Sequence, residues 1–283
     1  AHHGRTPPCA DAVVAAGLAR VVVAMRDPNA EAGGGLARLR AAGIDVEEGV
    51  AAAAARDLNI GFVSRVTRGT PWVRLKVAAS LDGRTALVDG QSQWITGAEA
   101  RADGHAWRAR ACAVLTGIGT VLADDPALTV REVSTPRQPW RVVVDRDART
   151  PPGARILGAG QVIVVTNGAR NAAWPAHAEV VELPDAHGRV DLGALLRLLA
   201  GRGVNELHVE CGARLNGAFL EHDLVDELLV YLAPDAIGDP ARGMFARGCA
   251  LASLAGRARF EWGDARRVGR DLRLLARRAR EAA

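Results

Sequence analysis

The chain has one lysine, one tyrosine, two methionines and four cysteines in 283 residues, and each shortage excludes something. No apolar run reaches the ~18 residues of a bilayer-spanning helix. The first residues lack the charged-then-apolar order of a secretory signal, so no membrane partner is expected and the expected setting is the cytoplasm. Cys9, Cys112, Cys211 and Cys249 lie far apart in a chain long enough to bury a core without staples, which argues against a disulfide framework. Aromatic residues are only 4% of the chain and form no basic-aromatic module, so the formal charge of +4 does not imply nucleic acid. Arginine is interspersed with Asp and Glu almost everywhere except RRAR at 277–280. There is no internal repeat and no methionine at the first position, so the chain reads as a fragment.

What is present is an alternation of β-branched runs and helical segments. ARVVVAM (19–25), a short helix LARLRAAG, the strand IDVEEG and a helical stretch from Val50 to about Val66 form the tail of one α/β unit. TRGTP (67–71) has no apolar period and carries Gly and Pro, which marks a boundary between residues 1–68 and 72–283. WVRLKVAAS predicts a strand, LDGRTALVDGQSQW a loop, and TGAEARADGHAWRARA a helix with Thr96 and Glu99 as a capping box. ACAVLTGIGT, RVVVD, QVIVVT, EVVEL, ELHVE and ELLVYLAP follow as strands, with helices at 192–199 and over LNGAFLEHD. RFEWGDARRV and DLRLLARR end the chain as antiparallel strands. This pattern predicts a three-layer α/β domain.

The opening HHGRTPPCADA holds His2, His3 and Cys9. Imidazole and thiolate are zinc ligands, yet a zinc site needs three or four of them and no second cysteine lies nearby. Zinc deaminases place an H-x-E helix before a P-C…C segment. HHGRTPPCADA resembles the stretch ending at the second zinc cysteine in the deaminase half of the bifunctional riboflavin-biosynthesis deaminase/reductase family. That resemblance makes Cys9 a metal ligand of the full-length deaminase only, with its partners upstream of Ala1, and zinc is not expected on this chain. His208-Val209-Glu210 beside Cys211 is also H-x-E, but it follows the cysteine segment and lies on a strand.

The resemblance continues through the family's reductase half. It is carried by LKVAASLDGRTA (75–86), SQWIT (92–96), HAWRARA, TGIGTVLADDPALTVR (116–131), VVVD (142–145) and HVECGARLNGAFL (208–220). It implies a fold class of an incomplete cytidine-deaminase-like α/β remnant followed by a dihydrofolate-reductase-like three-layer α/β domain. It also implies NADPH-dependent reduction of the ribosyl group of a phosphoribosylaminopyrimidine. TGIGT ends a strand and opens a helix, where backbone can approach a phosphate. By resemblance Ala78, Trp94, Thr120, Asp124 and Arg146 face the nicotinamide nucleotide, together with the turn Gly212, Ala213, Arg214, Leu215, Asn216, Gly217 and Ala218. Cys211, Ala213 and Arg214 depart from the family's usual Gly or Ala, Pro and small residues. Arg146 or Arg214 then supplies charge for the cofactor's extra phosphate.

A sugar phosphate needs cationic forks. Arg108 and Arg131 match the family's substrate arginines, with Ser92 and Leu128 beside them. Lys76, the one ammonium among 36 basic residues, and Glu210, at the end of a strand where open α/β sheets face ligands, complete the substrate set. Either can serve the proton transfers that opening a cyclic aminal requires, and the sequence does not choose between them. The oligomeric state stays open. Two rivals stand beside this reading: a dihydrofolate-type reductase with another pterin or pyrimidine substrate, and a nucleotide-binding module without turnover.

Overall fold

The computed structural model describes residues 7–29, 32–238 and 240–279. The chain divides into two compact units, Ala1–Pro71 and Trp72–Ala283. The first unit pairs two parallel strands, β1 (Arg20–Val23) and β2 (Asp45–Glu48), and adds helices α1 (Cys9–Ala15), α2 (Gly35–Ala41), α3 (Ala52–Leu58) and α4 (Ile60–Arg68). The helix expected from Val50 to Val66 is broken at Asn59, whose side-chain amide turns back to donate to the Ala55 carbonyl at 2.9 Å. Asn competes in this way with the helical ladder, which is why it favours helix ends.

The second unit is built on one nine-stranded sheet. Its strands are β3 (Trp72–Ser80), β5 (Ala113–Gly117), β6 (Trp140–Val144), β7 (Val162–Thr166), β8 (Ala178–Glu182), β9 (Glu206–Val209), β10 (Glu227–Ala233), β12 (Phe260–Val268) and β13 (Asp271–Arg278). Their order is β12-β13-β10-β3-β9-β5-β6-β7-β8. From β10 to β8 every neighbour is parallel, and the β12–β13 hairpin extends the sheet antiparallel, as the sequence pattern expects. Parallel strands are covered on both faces and so read as continuous apolar runs, which is the character of AVLTG in β5 and VIVVT in β7.

Alternation along β3 sorts the layers. Val73, Leu75, Val77 and Ala79 join the core with α7 (Leu192–Gly201) and with Phe219 of α8 (Ala213–Glu221). Arg74 and Lys76 project to the other face, where α5 (Ala98–Arg110) lies; α6 (Ile118–Asp124) follows β5 and packs with Val114, Val143 and Val164.

Two local expectations are corrected. The Thr96–Glu99 capping box does not form: the N-cap of α5 is Gly97, and its N–H is taken by the buried Asp271 carboxylate at 2.7 Å, while the Thr96 carbonyl accepts from Arg101. A carboxylate brought in from β13 thus replaces the local cap. The segment expected as a loop after β3 contains a short strand, β4 (Arg84–Ala86), which pairs with β11 (Arg242–Gly243). A three-residue strand has no readable period, so only the distant partner reveals it.

The polar side of β3 is a line of buried charges. Arg74, 1% exposed, reaches Glu206 of β9 at 3.0 Å and Glu227 of β10 at 2.5 Å, with Trp107 of α5 stacked 4.3 Å from its guanidinium carbon. Removing one partner of a buried pair leaves the other charge uncompensated, at a cost of about 3–5 kcal/mol. Arg74→Ala is therefore expected to lower unfolding stability by about that amount in urea titration. A loss below about 0.5 kcal/mol, the range of ordinary surface changes, contradicts this account of the ladder.

Candidate active site

A single cavity of about 1360 Å³ opens at the carboxyl ends of β3, β9, β5 and β6. That is more than the roughly 300–1,000 Å³ that holds one small ligand, and leaves room for two. Open α/β sheets bind ligands at this edge, where strand order switches direction. Ten Lys or Arg side chains line the cavity against four Asp or Glu, which suits polyanionic ligands.

At its centre stands Glu210, just past β9. Its backbone N–H donates to the Leu115 carbonyl at 2.8 Å, and its carbonyl accepts from Thr116 Oγ1 at 2.7 Å, so β5 fixes its main chain. Its carboxylate is gripped by both arms of Arg108 from α5, the Nε arm on Oε1 and Nη2 at 2.9 Å from Oε2. Lys76 Nζ stands 3.7 Å from Oε2, and His208 Nε2 stands 3.4 Å from Oε1. Burial alone would raise the Glu210 pKa, but Arg108 and Lys76 outweigh it and hold the carboxyl well below the usual range. The Lys76 ammonium is pushed down from its ordinary 10.5 by burial, which the Glu210 charge only partly offsets, and Arg108 pushes it down further. The pair therefore separates into a fixed anion and a cation eased toward giving up its proton.

The glycine turns build the neighbouring wall. Gly117 closes β5 and Gly212 precedes α8; a Cβ at Gly117 would meet Leu215 Cδ2 at 3.0 Å, so the glycine lets the α8 turn pack against β5. Neither α6 nor α8 has a side-chain cap, whereas Asp271 serves α5 and Asp191 serves α7. The first-turn N–H groups of α6 and α8 thus lack side-chain acceptors at the cavity edge, the arrangement that receives phosphate. This donor set fits a nicotinamide dinucleotide. Ser92 Oγ donates toward Asp124 Oδ1 at 3.5 Å, linking the two motif segments. The exposed Trp94 indole lies under the Arg101 guanidinium, 4.4 Å away.

Of the residues singled out from sequence, Lys76, Ala78, Ser92, Trp94, Arg108, Thr120, Asp124, Leu128, Arg131, Arg146, Glu210, Gly212, Ala213, Arg214, Leu215 and Ala218 line this cavity. Asn216 and Gly217 do not. Asn216 is buried, accepts from the Cys211 thiol and donates to the Met244 carbonyl at 3.0 Å. At Gly217 a Cβ would fall 2.0 Å from the Ala246 carbonyl oxygen. Both residues clamp the 244–247 segment onto α8, a packing role that a motif reading cannot distinguish from ligand contact. Cys9 begins α1 with an exposed side chain, and the described residues contain no cluster of three metal-ligating groups; His2 and His3 lie outside the described residues. His208, the H-x-E histidine, is buried beneath Glu210.

His105 was not singled out, although it sits one turn before Arg108 on α5. It is buried, and its Nδ1 accepts the Arg131 N–H at 3.1 Å, so it shapes the backbone of the substrate-side arginine. Burial, then the Arg108 and Arg131 charges, lower its pKa from 6.5 to about 4. The native state thus favours neutral His105, whose contribution is complete above pH 6.5 and declines as pH falls towards about 4. The excess unfolding stability of the wild type over His105→Gln is expected to narrow across that window. A pH-independent difference contradicts the assignment.

The comparisons agree with this geometry. Residues 71–273 match the family described as RibD C-terminal domain. The chain is 44% identical to the riboflavin biosynthesis protein RibD of Escherichia coli K12 over 96% of its own length and 77% of that protein's. Against Acinetobacter baumannii RibD, form 1, the structure gives a TM-score of 0.89 at 41% identity, covering 99% of this chain and 78% of that one. Against the diaminohydroxyphosphoribosylaminopyrimidine deaminase/5-amino-6-(5-phosphoribosylamino)uracil reductase of Thermotoga maritima the TM-score is 0.87 at 32% identity, covering 98% and 76%. With the family's reductase domain spanning the unit that carries the cavity, this chain belongs to the RibD family of riboflavin biosynthesis proteins.

Proposed function

We propose that this chain is the pyrimidine reductase of riboflavin biosynthesis, reducing 5-amino-6-(5-phosphoribosylamino)uracil to its ribitylamino product with NADPH. The observation that carries this is the Arg108–Glu210–Lys76 cluster, set in a cationic cavity large enough for a nucleotide and a sugar phosphate together. The deaminase step of the longer relatives is not assigned to residues 1–71.

The reaction opens the ribose ring and adds two electrons. When the C1′–O4′ bond breaks, a proton passes from the exocyclic nitrogen to O4′ and leaves an imine, C1′=N. Addition of hydride at C1′ and a proton at nitrogen gives the C1′H₂–NH amine. A bound nicotinamide supplies the hydride. The chain's own residues hold the two carbons in reach, exclude water and manage the protons. Glu210 cannot donate, because Arg108 and Lys76 keep it ionised, but as an acceptor it can hold the sugar hydroxyls. Lys76 is the donor: desolvation eases its half-buried ammonium toward giving up a proton, and it stands 3.7 Å from an anion that remains neutralised by Arg108 after the proton leaves.

Arg108 spends its fork on Glu210, so it acts on the substrate through that carboxylate. Arg131 is exposed in the cavity, and among the described residues its guanidinium donates only to Thr129, at 3.0 Å to Oγ1 and 3.5 Å to the carbonyl. It is the arginine available to the 5′-phosphate. Charge-assisted hydrogen bonds contribute roughly 1.5–3 kcal/mol each. Arg131→Ala is expected to lower kcat/KM about tenfold to a hundredfold, with Arg131→Lys between and nucleotide affinity nearly unchanged. The test is turnover of the ribosylaminouracil phosphate, with Arg197→Ala as the surface control. Absence of turnover in the wild type defeats the reductase reading; equal turnover in all variants removes Arg131 from the substrate site.

A further inference from the structure

The stretch His208-Val209-Glu210 carries a histidine that the reductive steps leave unused. Side chains two apart along an extended strand share a face, so His208 lies directly behind Glu210. Its ring is fully buried. Its register neighbours are Arg74 of β3 on one side and Val114 of β5 on the other. A polar ring in that position has to be accounted for by what it touches.

An ionised carboxylate only accepts, and it has about four lone-pair sites to fill. At Glu210 three are met from neighbouring elements: Arg108 places Nε on Oε1 and Nη2 at 2.9 Å from Oε2, and Lys76 Nζ stands 3.7 Å from Oε2. His208 Nε2, 3.4 Å from Oε1, faces the fourth. A bare ring nitrogen there would set its lone pair against a charged oxygen, so the contact assigns the proton to Nε2. The separation exceeds the roughly 2.7–3.2 Å of a settled N–H···O bond, which makes this a dipole aimed at a charge. Nδ1 has no hydrogen-bond partner among the described residues.

A neutral ring suits the local charge. Arg108 and Lys76 already outnumber Glu210, and Arg74 lies alongside. Burial lowers the His208 pKa from its ordinary 6.5, with Glu210 opposing the shift and the Arg74 and Arg108 charges adding to it. The ring thus supplies direction without a third cation. Arg108 ties the carboxylate to α5, whereas His208 ties it to the sheet that carries Lys76.

Resting on the reductase reading above, we propose that His208 is a positioning residue of the reductive step: its neutral ring directs Nε2–H at Glu210 Oε1, fixes the carboxylate from the sheet side and limits how strongly Glu210 retains the Lys76 proton. Lys76 is faced by Glu210, by Arg108 of α5, with His105 at 3.4 Å from that guanidinium, and by the Tyr231 ring of β10 at 5.9 Å, whose hydroxyl donates to Asp103. None of these replaces the His208 dipole on Oε1 when it is removed. Glu210 then draws the Lys76 proton more strongly, so the alkaline limb of the pH profile moves to higher pH and proton transfer slows.

The test compares His208→Leu, an apolar side chain for a buried site, with His208→Gln, whose amide nitrogen lies as many bonds from Cα as Nε2 does. The measurements are kcat and KM for the ribosylaminouracil phosphate across the alkaline limb, with Kd for NADPH from tryptophan fluorescence. His208→Leu is expected to lower kcat about tenfold, the loss of one hydrogen bond to a charged group, with the limb displaced upward and NADPH affinity unchanged. His208→Gln restores most of the rate and the position of the limb. Equal loss in both variants, a loss with the limb unmoved, or a His208→Leu enzyme as fast as the wild type overturns the proposal. Nitrogen NMR of histidine-labelled protein tests the contact apart from turnover: the ring whose signals vanish in His208→Leu is expected to be the neutral Nε2–H tautomer at neutral pH. If the wild type does not turn over, the reductase reading fails by itself; an Nδ1–H tautomer or a charged ring overturns the His208 assignment in either case.

Discussion

The bidentate pair between Arg108 and Glu210 is the constraint on which the site depends. It joins α5 to the end of β9 at the point where β3, β9 and β5 present their carboxyl ends, and it fixes the charge of the carboxylate at the centre of the cavity. Lys76 inherits its properties from that pair. Without Arg108 the ammonium would neutralise Glu210 alone, and releasing a proton would leave a bare buried anion. With Arg108 in place the cluster holds a surplus positive charge, so the proton departs at lower cost. A planar fork and a compact ammonium have different tasks here, which gives physical sense to the single lysine among the chain's basic residues.

The pair is one rung of a longer ladder under α5. Arg74 lies between Glu206 and Glu227, Arg277 extends the line to β13, and Asp103 receives Tyr231 at 2.5 Å and Arg273 at 3.0 Å. These charges occupy the face of the sheet opposite the apolar core of α7 and α8. Trp107 lies over Arg74 with Arg110 and Arg273 near its ring, so α5 is seated by stacking and ion pairs more than by apolar burial. Such a layer contributes little net stability, but it specifies register, because a shifted helix would leave several charges unpaired at once. The geometry of the Arg108–Glu210–Lys76 cluster is therefore a local consequence of how the whole α5 layer is registered.

The alternation of apolar strands and helices was legible because parallel strands buried on both faces leave continuous β-branched runs such as VIVVT and VVVD. So were the glycine turn at Gly117 and the cluster residues Arg108, Glu210 and Lys76. What escaped depended on partners distant in sequence. The Asp271 cap on α5 and the β4–β11 pairing join residues 156–174 positions apart, and no local pattern signals either. Gly217 looked like part of a binding turn, but Ala246 is what forbids a side chain there. His105 was within reach, since a histidine one helical turn from Arg108 shares its face.

The central claim, that Lys76 donates the proton while Glu210 remains ionised, is tested most directly by the pH dependence of kcat/KM for the reductive step in the wild type and in Lys76→Met. Burial lowers the lysine pKa, so the protonated donor is lost on an alkaline limb whose midpoint lies below the ordinary 10.5. The account predicts that limb in the wild type, and in Lys76→Met a far slower rate with the limb gone and NADPH still bound. An alkaline limb unchanged by Lys76→Met, or a variant as fast as the wild type, would contradict it.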